Sequence, residues 1–130
     1  MNFDHQISAK AQELVMKLRD QPGEAEYRSL SESFPILLRS AGLLQAVSFL
    51  GTKKEDAAHG KLLLHLEAQF LGLRLLKERE LLSGKIPSKT RDYMLWTRLM
   101  DRAAYWHKRM SQAHLRTAKE IAAASKKGAN

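Results

Sequence analysis

The sequence predicts an all-α protein: a single compact helical bundle of about five or six helices with a long C-terminal helix. Three observations carry this. Apolar residues recur at spacings of three and four along nearly the whole chain, while strand-like alternation of β-branched residues is almost absent, valine standing only at 15 and 47. Only three prolines and seven glycines interrupt 130 residues, so the elements are few and long. Apolar residues make up 44 % of the chain, enough for a real core in a protein of one-domain size. The expected organisation is one helical domain over 1–120 and a basic, frayed tail over 121–130.

Taken in order, a first helix is expected from about Asp4 to Asp20, with Ile7, Ala11, Leu14, Val15 and Leu18 on one face. Pro22-Gly23 ends it. A second helix starts near Glu24 and carries Tyr27, Leu30 and Phe34. Pro35 lacks an amide donor and should kink this helix or open a new turn before Gly42. Leu43 to Leu50 reads as a short apolar helix stopped by Gly51. The capping-box spacing of Thr52-Lys53-Lys54-Glu55 suggests a fourth helix start, interrupted around His59-Gly60. The leucine-rich run from Lys61 to about Leu82 is apolar around most of its circumference and is expected in the middle of the fold. Ser83-Gly84-Lys85-Ile86-Pro87 is a loop, and Ser88 is the expected N-cap of the last helix. That helix meets no glycine or proline through Lys127. Trp96, Leu99, Ala103, Trp106, Met110 and Ala113 form a heptad-like seam along it.

The net charge of +8 is distributed unevenly. Residues 1–70 hold 8 basic and 9 acidic side chains, a balance of −1, and residues 71–130 hold 14 and 5, a balance of +9. A polyanion surface on the second half, with nucleic acid the usual partner, accounts for that asymmetry; a solubilising surface is the bland alternative. Arg91, Arg98, Arg102, Arg109 and Arg116 are spaced 7, 4, 7 and 7. On an unbroken helix they fall within about 20° of one line and form a stripe roughly 37 Å long, about 90° from the apolar seam. Asp101 and Glu120, the nearby acids, fall well off it. A row of unpaired guanidiniums suits phosphate, since each fork presents paired donors, and Tyr105 beside it offers a ring to a base. The competing account is a solvated face, or pairing with first-half acids such as Glu24, Glu26 and Glu32. Lys108 and Lys119 lie off the stripe. Arg74, Lys77, Arg79, Lys85 and Lys89 cluster around the preceding loop, where they extend the basic surface or simply solubilise the loop.

Signals for catalysis are weak, and no cofactor is expected. The chain has no cysteine, which excludes a thiol nucleophile and any Cys-ligated metal, and which fits a reducing, cytoplasmic setting. His107 and His114 are seven apart but no third metal ligand is placed by a recognised spacing. His65 sits in a leucine run and reads as a hydrogen-bonded, partly buried histidine. There is no glycine-rich phosphate loop and no nucleophile elbow. No basic, apolar leader follows Met1, and charges interrupt every apolar stretch well short of a membrane span, so neither a signal peptide nor a membrane partner is expected.

Two groups of residues resemble a known family. The first is Tyr27-Arg28, then Phe34-Pro35-Ile36-Leu37-Leu38, Gly42-Leu43-Leu44 and Phe49-Leu50; the second is Tyr93, Thr97 and Trp106-His107-Lys108-Arg109-Met110. Their order resembles the small all-helical subunit of Cmr-type (subtype III-B) CRISPR RNA-guided effector complexes, over about residues 5–112. His107 stands where that family has an aliphatic residue, and Met110 where it has an aromatic one. The resemblance implies a non-catalytic subunit of an antiviral assembly. Its partners would be guide RNA, target RNA, the backbone subunit, the large subunit and copies of itself. By position it implies that Trp106 is a core or interface residue and that Lys108 and Arg109 face RNA or a neighbour. The alternatives are a stand-alone helical nucleic-acid-binding module or a protein adaptor. A helix-turn-helix reading fails at its only comparable corner, because Leu43 to Leu50 carries no basic residue.

Overall fold

The structure is a computed structural model and describes residues 3–76 and 86–128. These residues form six helices: α1 (Phe3–Met16), α2 (Glu24–Ala41), α3 (Leu43–Thr52), α4 (Ala57–Gly72), α5 (Thr90–His114) and α6 (Ala118–Gly128), with no strand among them. The all-α expectation holds. No helix among the described residues is long and apolar enough to cross a membrane.

Helix α1 buries Ile7, Ala11 and Val15, one residue per turn. It stops at Met16, short of the expected Asp20, and the chain turns through Asp20 (φ 65°) and Gly23 (φ 87°) into α2. Pro35 is buried inside α2, which continues through it to Gly42 and opens no new turn there. Gly42 (φ 89°) returns its amide to the Leu38 carbonyl and lets the chain bend at once into α3. The first free amides of α3 are partly met from far away, since Leu44 N–H donates to the Tyr93 hydroxyl at 3.2 Å.

The expected capping box at Thr52–Glu55 does not form. Asp56 caps α4 instead, its Oδ1 accepting from the amides of Ala58 and His59 at 3.1 and 3.4 Å. Gly60 does not interrupt α4. It lies where a Cβ would stand 2.3 Å from the Lys54 carbonyl oxygen, so glycine is what allows the α3–α4 turn to fold back against the helix. The leucine-rich segment ends as α4 at Gly72, and the rest of that run lies largely outside the described residues. Leu62, Leu63, Leu66 and Phe70 are buried, but Leu64 and Leu71 are exposed. The middle of the fold belongs to α5, which packs chiefly on α1 and α2.

Contacts fix the register of α2 against α5. Arg28 Nη1 donates to the Leu115 carbonyl, Glu32 accepts from Gln112, Arg39 pairs with Asp101 and Leu44 meets Tyr93. The two helices therefore run antiparallel. Between them Tyr27, Phe34, Leu38, Met100 and Ala104 join Phe70 and Trp96 in one core, the last two edge-to-face at 5.0 Å.

Lys89, not Ser88, occupies the N-cap position of α5, with no side-chain cap. The long C-terminal helix breaks after His114. Leu115 is extended (φ −105°, ψ 155°) and buried, and the chain restarts as α6. Arg19 Nη1 donates to the His114 carbonyl at 2.7 Å and Arg28 to that of Leu115 at 2.9 Å, so cations meet the carbonyls that close α5. A capping box opens α6: the Glu120 amide donates to Thr117 Oγ1 at 3.1 Å and the Thr117 amide to Glu120 Oε1 at 3.3 Å.

Candidate nucleic-acid interface

The site is built on α5, and its orientation is set by what that helix buries. Trp96, Leu99, Met100, Ala103, Ala104, His107 and Ser111 face the core, whereas Trp106 and Met110 are half-buried and Ala113 is exposed. At 100° per residue this face is turned about 65° from the predicted seam, which leaves the α5 arginines about 160° from its centre instead of about 90°. The turn is caused by polar residues that a hydrophobicity pattern passes over.

His107 is 1 % exposed and both of its ring nitrogens are engaged. Gln69 Nε2 must donate to the Ile7 carbonyl (2.9 Å), which orients the amide so that its second hydrogen points to His107 Nε2 at 3.1 Å. His107 Nδ1 then carries the proton and donates to the Tyr27 oxygen at 3.1 Å, and the Tyr27 hydroxyl donates to His65 Nδ1 at 2.7 Å. Burial, with the Lys61 charge next, pushes the His65 pKa down to about 4. Burial, then the neighbouring His65, pushes His107 down to about 3. Burial also raises the Tyr27 phenol. All three groups are thus neutral near pH 7, and Tyr27 links the two histidines while Gln69 meets the remaining His107 nitrogen. His65 is the hydrogen-bonded, partly buried histidine the sequence suggested. Among the described residues no three His, Asp or Glu side chains group as metal ligands.

On the opposite side of α5 the five arginines divide. Arg91, Arg98 and Arg109 are exposed and make no ion pair among the described residues. Arg102 does: its Nε and Nη2 meet the two oxygens of Asp4 at 2.7 Å each, and Trp106 Nε1 donates to the same carboxylate at 3.0 Å. Hydrogen bonds from Arg102 and Trp106 hold the Asp4 carboxyl below the usual range. Arg116 lies past the helix break and off the stripe. Its Nη2 meets Asp20 at 2.8 Å and Glu24 at 3.0 Å, and its amide donates to Glu24 Oε2 at 2.7 Å. Burial alone would raise the Glu24 pKa, but the bonds from Arg116 and the Asp20 amide outweigh it and lower it. Arg102 and Arg116 therefore depart from the expectation of a free row. Glu24 is among the first-half acids that the sequence offers as partners, while Asp4 carries no signal in its own neighbourhood.

The remaining candidates are scattered. Lys89 is exposed at the start of α5, and Lys108 is half-buried about 100° round the helix from the stripe. Arg74 is exposed after α4 in a left-handed conformation (φ 62°). Lys77, Arg79 and Lys85 lie outside the described residues. Tyr105, which the sequence places beside the stripe, is 37 % exposed there; sequence reasoning missed two apolar neighbours on the same outer side of α5, Met94 and Leu95, which are 51 % and 46 % exposed. Met94 lies about 150° from the predicted seam and was legible as outward; Leu95 lies only about 50° from it and reads as outward once the core face is correctly placed.

The chain has known counterparts in sequence and in fold. The sequence model of the CRISPR-associated Cmr5 family matches residues 3–114, ending where α5 ends. A curated relative, the "CRISPR system Cmr subunit Cmr5" of Thermus thermophilus, is 38 % identical over 104 residues, 80 % of this chain and 88 % of its own. The crystal structure of a CRISPR-associated Cmr5 family protein from the same species superposes with a TM-score of 0.76 at 28 % identity, covering 89 % of this chain and all of that one. The chain belongs to the Cmr5 family of CRISPR-associated proteins. Helix α6 lies beyond the family match.

Proposed function

We propose that the chain is a non-catalytic subunit of a Cmr-type, subtype III-B CRISPR effector complex and helps hold the guide–target RNA duplex on the outer face of α5. Membership in such an assembly is supported by the relative, whose name describes a subunit of the Cmr system. The RNA-contacting role rests on one observation: Arg91, Arg98 and Arg109 stand exposed on one side of a 25-residue helix, with no ion pair among the described residues. Such side chains keep their donor forks available for phosphate. A structural role also agrees with the Tyr27–His65–His107–Gln69 cluster, in which Tyr27 is bonded to both histidines and His107 has a partner on each ring nitrogen. Lys89, Lys108 and Arg74 are further candidate contacts of this reading, as are Lys77 and Lys85, which lie outside the described residues. Copies of the chain, the backbone subunit and the large subunit are the protein partners of this reading, with the near-neutral first half meeting protein.

The test is charge reversal of Arg91, Arg98 and Arg109 together in the full chain, with RNA binding measured at several salt concentrations. Loss of three phosphate contacts should flatten the slope of log affinity against log salt by about 2. Unchanged affinity and slope would refute the role. A loss of subunit assembly with RNA binding intact would favour the adaptor reading.

A further inference from the structure

We infer that Tyr105 is a stacking platform that receives one unpaired base of an RNA strand whose phosphates run along the exposed arginines. This rests on the RNA-contacting role proposed above and gives it a specific element. The observation is the frame around one phenol. The Arg102 guanidinium covers one face of the Tyr105 ring at 4.7 Å. That guanidinium is itself pinned, because both Asp4 oxygens accept from it at 2.7 Å. Trp106 donates to the same carboxylate at 3.0 Å and stands edge-on to Tyr105 with ring centres 5.2 Å apart. Side chains from α1 and α5 therefore set the orientation of a tyrosine that remains 37 % exposed.

A ring held this way has already met part of the ordering cost that stacking would otherwise incur. Its surroundings specify the ligand. Arg109 lies one turn beyond Tyr105 and Arg98 two turns before it, about 6 Å and about 10 Å along the axis and on the same side. A strand following α5 meets an exposed guanidinium on each side of the ring, which suits nucleic acid better than an apolar partner. The base must be unpaired, because a duplex shows the protein its backbone and shallow groove while its base faces are stacked on one another. Every base has a π face, so the platform should show little sequence preference.

The experiment uses the full chain with two probes: a single-stranded RNA oligomer containing 2-aminopurine, and a blunt RNA duplex without unpaired bases. Tyr105→Ala should weaken single-strand binding about tenfold and abolish the quenching of 2-aminopurine, while duplex binding stays within about twofold. Tyr105→Phe keeps the ring and should behave as the wild type. Equal single-strand affinity for Tyr105→Ala and wild type, or an equal loss on both probes, overturns the platform. The triple reversal of Arg91, Arg98 and Arg109 separates the two ideas. If it weakens both probes while Tyr105→Ala changes neither, only the platform falls; if it changes neither probe, the basic face falls and takes the platform with it.

Discussion

The inner and outer sides of α5 treat polar groups in opposite ways. Inside, His107 is 1 % exposed and each ring nitrogen has a partner from another helix. Outside, Arg98 and Arg109 are exposed and have no ion pair among the described residues. Arg102 stands between these regimes, on the outer side but claimed by Asp4, 98 residues earlier. A side chain's availability thus depends on which distant element reaches it. Inside the core an unmet polar atom is costly, and His107 has recruited partners for both nitrogens, although the buried Ser111 hydroxyl on the same face has none among the described residues; at the surface water serves and the donor forks stay open.

The inner side can be broken hardest. His107→Ala should cost about 3 to 4 kcal/mol, since it opens a cavity and strands the Gln69 amide and Tyr27 hydroxyl; urea unfolding followed by tryptophan fluorescence measures this. The same cluster sets the acid response. His65 and His107 titrate at about 4 and about 3 when folded, below the ordinary histidine value of 6.5, so below pH 6.5 the unfolded chain binds more protons than the native one. Stability should fall as pH drops from 6.5 towards 4, by up to about 1.4 kcal/mol per pH unit for each histidine, and His107→Ala should roughly halve that slope.

A smaller effect is expected where an arginine is claimed. Glu24→Ala removes a buried carboxylate that accepts from Arg116 and from the Asp20 amide, and should cost about 2 kcal/mol in the same unfolding assay. Arg98→Ala, on the open stretch, should stay within about 0.5 kcal/mol. Equal losses for the two would erase the distinction between claimed and open arginines. Asp4→Ala should also stay well below the Glu24 variant. Its pair with Arg102 is partly exposed, so stability should fall by less than about 1 kcal/mol. The freed Arg102 should add a phosphate contact, steepening the salt dependence of single-strand RNA binding by about 0.7.

Part of this architecture was legible because it depends on neighbours in sequence. The buried faces of α1 and α2 and the bend at Gly42 follow from helical spacing and glycine placement. The break before α6 also had a local signal, Thr117-Ala118-Lys119-Glu120, which the absence of glycine and proline obscured. The continuity of α4 through Gly60 had none, because the reason is a carbonyl oxygen on the preceding turn.

The chain's own residue order settled the helical class, the concentration of positive charge in the second half and the alignment of Arg91, Arg98, Arg102 and Arg109 on one line, because all three depend on composition or on intervals of a few residues. Tertiary packing settled which of those arginines remain open, how far α5 is rotated and where Tyr105 is held. Those outcomes require a carboxylate, an amide and a phenol that meet α5 across 38 to 102 residues of chain, and a hydrogen bond of that reach leaves no periodicity in sequence to be read.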